Sequence, residues 1–404
     1  MKIAIFTDLF HPKIDGISIS VMNSAMHLAK SGHEVIIFCP RFTEGDRIDY
    51  HKNIKVQRFF SVPLITYSEV RVSFFRKSRV ISILGLFKPD VVHVNTPGPI
   101  GFAGIYAAKK LSVPVVGTYH GLISEEMVHL TPLRLLGVHR LLELFGIPDE
   151  SALKFLKKDD SKSILKRFGW RFSLSMFAKC DLITAPSVSI VKLLKNRLPG
   201  KKIVFLSNGI NLKRPKANFL KKAIFLHVGR ISFEKNIDVI IRAISILKSD
   251  FNANVKIKIA GDGPALRSLK LLARKLGVEG NIDFLGWVSG EQLSSVYQKS
   301  TVFVTSSPME TQGLVILEAM ASGLAVIGVD KFAIPDLVKP GFNGYLAKPY
   351  DAQDMASCMS KAIEKSSVLP VFARNSLKIA KSHEFWKCMG MLERIYIDIA
   401  KKKN

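Results

Sequence analysis

The sequence predicts an α/β protein built from two doubly wound parallel-sheet domains, and three observations carry that expectation. The chain opens as strand, glycine-bearing loop, helix and strand between Lys2 and Cys39, the pattern of a parallel sheet with crossover helices. The same rhythm restarts at Ala223, after the polar and basic stretch Lys213 to Lys222 with Pro215, which reads as a linker. The 404 residues, 48% hydrophobic, are too many for one ordinary α/β core and suit two of roughly 200 residues each. The expected division is 1–212 and 213–384, with a last helix over 385–404.

In the first half, Lys2 to Phe6 reads as a short buried strand, Thr7 to Gly16 as a loop, and Ile17 to Lys30 as a helix closed by Gly32. The Asp15-Gly16 turn lies where phosphate approaches such a sheet, although a tight turn alone also explains it. After strands at Glu34 to Cys39 and Val56 to Phe60 comes Tyr67 to Phe87, expected as a helix. Val70, Phe74, Ile81 and Leu84 fall at helical spacing there, interrupted by Lys77, with Arg71, Arg76 and Arg79 off that line and Phe75 among them. Two readings stand: a basic interfacial helix that meets a membrane, or a crossover helix with its arginines in water.

Val91 to Asn95 is a strand followed by T-P-G-P-I-G and a helix through Lys110. Val113 to Thr118 is the next strand, and delivers Tyr119-His120-Gly121 at its carboxyl end. Ligands of open α/β sheets bind at that end, so His120 stands where chemistry happens, while a lone histidine is more commonly structural. Ser124 to Gly169 has no sheet rhythm; it mixes leucines with basic residues and suits an acceptor pocket or lid. Asp181 to Ala185 and Ile203 to Leu206 complete the strands of this half.

In the second half, Ala223 to Val228 is a strand, and the loop Gly229 to Asn236 carries Arg230 and Lys235. Two cations five residues apart after a strand fit a diphosphate, Arg as a fork and Lys as a point charge. A surface pair is the plainer alternative. A helix follows over Ile237 to Ser249, then the strand Val255 to Ala260 and Gly261-Asp262-Gly263-Pro264. This is half of a dinucleotide fingerprint and reads as a tight turn. Helix Leu266 to Leu276, strand Ile282 to Leu285 and helix Glu291 to Lys299 lead to Thr305–Gly323. That stretch is a polar loop and then a helix from Leu314 to Ser322, with Gly323 at a left-handed C-cap. Glu310 lies on the loop and Glu318 near mid-helix. The amides of Met309 to Gly313 point toward the positive end of the helix, a place that receives phosphate, with carboxylates beside it for hydroxyls. Further helices are expected at Ala352 to Glu364 and Phe385 to Lys401.

The charge is +26, from 59 Lys+Arg against 33 Asp+Glu. Ser151 to Lys222 holds 18 basic and 3 acidic residues, and Thr301 to Tyr350 holds 3 and 4. Nucleic acid, anionic lipid, anionic small substrates or a solvated basic face would each explain the basic zone. Nucleic acid leaves Glu310, Glu318 and His120 without purpose. Cys39, Cys180, Cys358 and Cys388 form no C-x-x-C pair, so neither zinc nor a disulfide framework is indicated and a reducing compartment fits. The opening M-K-I-A-I-F-T-D is too short in apolar residues for a secretion signal, and no run approaches a membrane span. A cytoplasmic protein, soluble or peripheral to a membrane, is expected.

Taken together, P-x-x-D-G, H-V-N-T-P-G-P-I-G, T-Y-H-G, G-R-x-x-x-E-K-N, A-G-D-G-P, F-L-G-W-V and E-T-Q-G-L-V-I-L-E-A-M-A-S-G-L resemble the retaining glycosyltransferases of the GT-B fold, family 4, over nearly the whole chain. The resemblance implies two Rossmann-like domains facing a cleft. It implies that Arg230 and Lys235 hold the donor diphosphate and stabilise the leaving group, and that Glu318 takes the ribose hydroxyls. Glu310, with the amides of Thr311, Gln312, Gly313 and Leu314, would hold the donor sugar; Gly286 and Trp287 would lie by the base. His120 would reach the sugar from the facing domain, and Gly16 would let the first loop approach phosphate. Many members carry Gly-Gly where this chain has Asp15-Gly16. The chain has no D-x-D triplet, so a metal-bridged diphosphate is not called for; no metal or cofactor is expected beyond the nucleotide-sugar substrate.

The Thr311-Gln312 variant of the last motif resembles members that glycosylate diacylglycerol. With the charge and the expected membrane-binding residues Arg71, Phe74, Phe75, Arg76, Lys77 and Arg79, it leads to an expected transfer of glucose or galactose from a UDP-sugar to diacylglycerol at the inner face of the cell membrane. Mannosyl transfer, a soluble acceptor and a nucleotide-sugar epimerase or hydrolase are the alternatives.

Overall fold

The computed structural model describes residues 1–12, 15–42, 50–64, 67–121, 164–212, 220–251, 253 and 255–402. The stretch expected as an acceptor pocket or lid lies mostly outside them, as does most of the expected linker. The chain divides into two compact units, Met1–Asn208 with Cys388–Asn404, and Gly209–Lys387.

The first unit is a seven-stranded parallel sheet. Its strands are β1 (Lys2–Phe6), β2 (Glu34–Pro40), β3 (Ile54–Phe59), β6 (Val91–Val94), β7 (Val115–Thr118), β8 (Leu182–Ala185) and β9 (Ile203–Phe205), in the order β3-β2-β1-β6-β7-β8-β9. β6, β7 and β8 are buried along their whole length. Continuous apolar runs of this kind belong to a sheet covered on both faces. The helices are α1 (Gly16–Lys30), α2 (Lys77–Phe87), α3 (Pro99–Lys110), α4 (Ile164–Phe177) and α5 (Val188–Arg197).

Tyr67 to Phe87 is not one helix. Tyr67–Ser73 is strand β5, paired antiparallel with β4 (Ser61–Leu64), and the helix begins at Lys77. Val72 pairs with Val62 across this hairpin, and β-branched residues at alternate positions suit a strand better than a helix. In α2 the buried positions are Val80 and Leu84.

The second unit holds a six-stranded parallel sheet of β10 (Phe225–Val228), β11 (Ile257–Ala260), β12 (Ile282–Gly286), β13 (Val302–Val304), β14 (Ala325–Val329) and β15 (Gly344–Ala347), in the order β12-β11-β10-β13-β14-β15. Its helices are α6 (Ile237–Asp250), α7 (Leu266–Lys275), α8 (Gly290–Gln298), α9 (Leu314–Ala321), α10 (Ile334–Leu337), α11 (Ala352–Glu364) and α12 (Leu369–Ser382). α6 shows why such segments fold. Ile237, Ile240, Ile241, Ile244 and Leu247 recur at helical spacing and are all buried, and each contributes roughly 1.5–3 kcal/mol of apolar burial. The chain order reverses between β10 and β13, which makes the loops after these two strands the switch point of the sheet.

The last helix, α13 (Phe385–Lys401), crosses the division; from Cys388 on it belongs to the first unit. Its Tyr396 is buried, and the hydroxyl lies 2.6 Å from His93 Nδ1; His93 Nε2 lies 2.6 Å from Thr118 Oγ1. Glu393 accepts from His33 Nε2 at 3.1 Å. No helix among the described residues is long and apolar enough to cross a membrane.

Candidate active site

At the switch point of the second unit, the loop after β10 supplies Arg230 and Lys235 and the loop after β13 supplies Glu310. Lys235 Nζ donates to Glu310 Oε1 at 2.6 Å, with both side chains mostly buried. The two loops are tied by Ser306 Oγ, which donates to the carbonyls of Asn236 at 2.7 Å and Lys235 at 3.1 Å. The Glu310 carbonyl accepts from Ala333 N–H at 3.1 Å. Burial alone would raise the Glu310 carboxyl, but the Lys235 ammonium outweighs it and holds the group below the usual carboxylate range.

Behind this pair stands His227, buried at the end of β10. Its Nδ1–H donates to Val304 O at 2.8 Å, and its Nε2 is buried with no hydrogen-bond partner among the described residues. Burial pushes its pKa down to about 4 against that hydrogen bond, with Lys235 adding to the depression. The ring is therefore neutral at physiological pH.

α9 begins directly after this loop. Its N-cap, Gly313, has φ 76° and ψ 57° and offers no side-chain cap, so no N-cap side chain satisfies the first-turn amides at the positive end of the helix dipole. A Cβ at Gly313 would stand 2.8 Å from Ile316 Cδ1 as well as in the left-handed region. Gly313→Ala is expected to destabilise the protein by about 1–3 kcal/mol and to weaken anion binding at the helix start. Thermal unfolding with and without UDP checks this, and an unchanged Tm with unchanged UDP affinity contradicts it.

Gln312 is buried while Thr311 is half-buried. Glu318 is on the exposed side of α9, where Tyr297 Oη donates to its Oε2 at 3.3 Å. Burial, then the Glu318 charge, raises the Tyr297 phenol well above its ordinary pKa.

Gly286 ends β12, two strands from β10, and Trp287 follows it, 65% exposed. The glycine turn after β11 has a packing role. Gly261 N–H donates to Gly286 O at 2.8 Å, and a Cβ on Gly261 would overlap the Gly229 carbonyl. The turn lets the Arg230 loop be braced from below, with Ile231 N–H donating to Asp262 O at 2.9 Å.

In the first unit, His120 follows β7, and its Nε2 lies 2.9 Å from Asn95 Oδ1. Burial lowers its pKa to about 4, so it too is neutral near pH 7. Gly16 opens α1, and Asp15 is the N-cap. Asp15 Oδ1 accepts from Ser18 N–H at 2.8 Å and Ser18 Oγ accepts from Asp15 N–H at 2.9 Å, a reciprocal capping box.

Asp8 was not signalled by the sequence patterns. It is buried at the end of β1, and its carboxylate accepts from Thr96 Oγ1 at 2.7 Å and from the N–H groups of Ile100 at 3.0 Å and Gly101 at 3.3 Å. It thereby fixes the T-P-G-P-I-G turn at the start of α3. Burial raises its pKa to about 6 against those hydrogen bonds. A folded-state pKa above the unfolded value of about 3.9 means the native state binds more protons, so stability falls as pH rises from about 4 to 6. Asp8→Asn is expected to flatten that part of the stability–pH curve relative to wild type. Urea unfolding across the window checks it, and identical slopes contradict it.

The residues expected to meet a membrane separate into distinct roles. Arg71 belongs to the hairpin: its Nε and Nη2 donate to Ser61 Oγ at 2.8 Å and Ser61 O at 2.7 Å, and it lies over the Phe42 ring at 5.1 Å. Phe75 packs on Phe59 at 4.7 Å between ring centroids. Lys77 lies over the Tyr106 ring at 5.2 Å. Phe74, Arg76 and Arg79 are exposed.

The family model described as Glycosyltransferase Family 4 matches residues 14–214, and that described as Glycosyl transferases group 1 matches residues 210–378. The chain is 26% identical to the alpha-monoglucosyldiacylglycerol synthase of Streptococcus pneumoniae over 90% of this chain and 78% of that protein. It is 29% identical to the GDP-mannose-dependent alpha-mannosyltransferase of Mycobacterium tuberculosis, over 86% and 83% of the two chains. Its fold is that of Anabaena HepE, solved in complex with UDP, with a TM-score of 0.71 over 98% of this chain and 100% of that one at 17% identity.

Proposed function

The chain belongs to the group 1, family 4 glycosyltransferases of the GT-B fold, and from that premise we propose that it moves glucose or galactose from a UDP-sugar to 1,2-diacylglycerol, retaining the α configuration. The observation that carries the donor half of this reading is the Lys235–Glu310 pair at the uncapped start of α9. Lys235, Arg230 and the first-turn amides of α9 receive the diphosphate. Glu310, ionised beside Lys235, accepts from a sugar hydroxyl and favours the cationic character that develops at C1. Glu318 accepts from the ribose hydroxyls, with Tyr297 bonded to the same carboxylate. Gly16 and His120 belong to the first unit.

The bond from C1 to the diphosphate oxygen breaks as the acceptor hydroxyl bonds to C1 on the same face. The acceptor proton passes to the departing phosphate oxygen. Cations preplaced at that oxygen lower the barrier because the negative charge grows there.

Three things support the lipid acceptor: the Thr311-Gln312 form of the motif, the similarity to a diacylglycerol-acting synthase, and the exposed Phe74, Arg76 and Arg79, which suit the inner face of an anionic membrane. The similarity to a mannosyltransferase favours a second reading in which the donor is GDP-mannose. Purified protein given labelled UDP-glucose, UDP-galactose or GDP-mannose with diacylglycerol vesicles separates them. The proposal expects label in the lipid phase from a UDP-hexose. Label only from GDP-mannose, or only in water-soluble products, overturns it.

A further inference from the structure

A cavity of about 740 Å³ opens in the first unit at the carboxyl end of β2 and β3. Arg41, Arg58, Arg76 and Arg79 line it, together with two pairs of phenylalanines. No carboxylate lines it among the described residues. We propose that this cavity binds the phosphate headgroup of an anionic glycerophospholipid, and that the bound headgroup seats the enzyme on the bilayer.

The charges are placed rather than merely numerous. Arg58 is fixed in the wall, where its Nη1 donates to the carbonyls of His11 and Pro40 at 3.0 Å each. Arg41 directly follows β2. Arg76 is the N-cap of α2 but gives no side-chain cap, and the first turn of that helix contains no acidic residue. Instead it carries Lys77 and Arg79. Cations at the positive end of a helix repel the dipole, an arrangement that a bound phosphate reverses from unfavourable to favourable.

The aromatic residues select a lipid over a free anion. Phe60 is 61% exposed and Phe74 42% exposed, with ring centroids 6.3 Å apart. Val62, 39% exposed, lies on the same hairpin. A soluble phosphate needs no such apolar rim, whereas a headgroup at the bilayer surface brings acyl chains to it. The cavity lies at the same end of the sheet as His120, since all seven strands are parallel.

This inference rests on the lipid-acceptor reading but is tested apart from it. Phosphatidylcholine vesicles are charged to the same surface potential with either phosphatidylglycerol or oleate. Wild type is expected to bind the phosphate-bearing vesicles about tenfold more tightly, the scale of one direct charge-assisted contact to phosphate, and Arg41→Gln with Arg79→Gln to bind both equally. Soluble glycerophosphoglycerol competes only weakly if the rim contributes; full competition by it at low concentration assigns the site to a free phosphate ester and overturns the lipid proposal. Equal binding of both vesicle types by wild type, or an unchanged preference in the double variant, overturns it as well. UDP affinity reports folding of the variants; if the double variant loses it, Arg79→Gln alone is read the same way. Glycolipid synthesis in neutral detergent micelles reports the transferase reading separately: its failure there sinks that reading while the vesicle preference stands or falls by itself.

Discussion

Lys235→Ala is expected to lower kcat for sugar transfer by about a hundredfold to a thousandfold, the scale seen when one preplaced group that stabilises transition-state charge is removed. Lys235 Nζ is 2.6 Å from Glu310 Oε1, so the substitution acts twice. It removes a cation from the departing diphosphate, and it leaves Glu310 in a site whose burial raises its pKa. In the wild type Glu310 has a depressed folded pKa. The stability it contributes is present above the unfolded value and lost as pH falls through the folded one. In the variant the pKa moves the other way, and the ionised carboxylate is penalised as pH rises. The gap in Tm between wild type and variant therefore widens from about pH 4 to 7. Saturating-donor kinetics and a Tm–pH series check both parts. A kcat within about threefold of wild type removes Lys235 from the reaction.

Glu310→Gln is expected to cost transfer by a similar factor while leaving UDP affinity equal or higher. The amide keeps the shape and loses the charge, and Lys235 is released toward the diphosphate. The pair is partly accessible, at 28% and 14% of the two side chains, so loss of stability is expected near about 1 kcal/mol rather than the larger cost of breaking a fully buried pair. This variant distinguishes a carboxylate that serves the sugar from one that serves the nucleotide. Parallel loss of UDP affinity and transfer contradicts the sugar role.

The two sheets, the loops after β10 and β13, and the helix start at Gly313 were legible because each is written locally. Apolar runs bounded by glycine loops mark buried parallel strands, and Gly313 and Gly323 mark the ends of α9. The hairpin before α2 was not legible, because Val70, Phe74, Ile81 and Leu84 satisfy a helical period that spans a strand and a helix by coincidence. The antiparallel pairing of Ser61–Leu64 with Tyr67–Ser73 decides it. Asp8, Asn95, His227 and Tyr297 were also missed. Their roles arise from partners far along the chain: Asp8 from residues 96–101, and His227 from Val304. A single sequence shows such pairs no signal. The Gly261 turn was read as local geometry, and its reason is the Gly229 carbonyl lying against it.

The most direct measurement is calorimetric titration of UDP into wild type, Lys235→Ala, Arg230→Ala and, as a control outside the donor site, Arg79→Gln. Wild type and the control are expected to bind with closely similar affinity, and Lys235→Ala and Arg230→Ala at least about tenfold more weakly, since losing one charged contact to a phosphate costs roughly 1.5–3 kcal/mol. Equal affinity in all four proteins would place the nucleotide elsewhere and contradict the donor site at the start of α9.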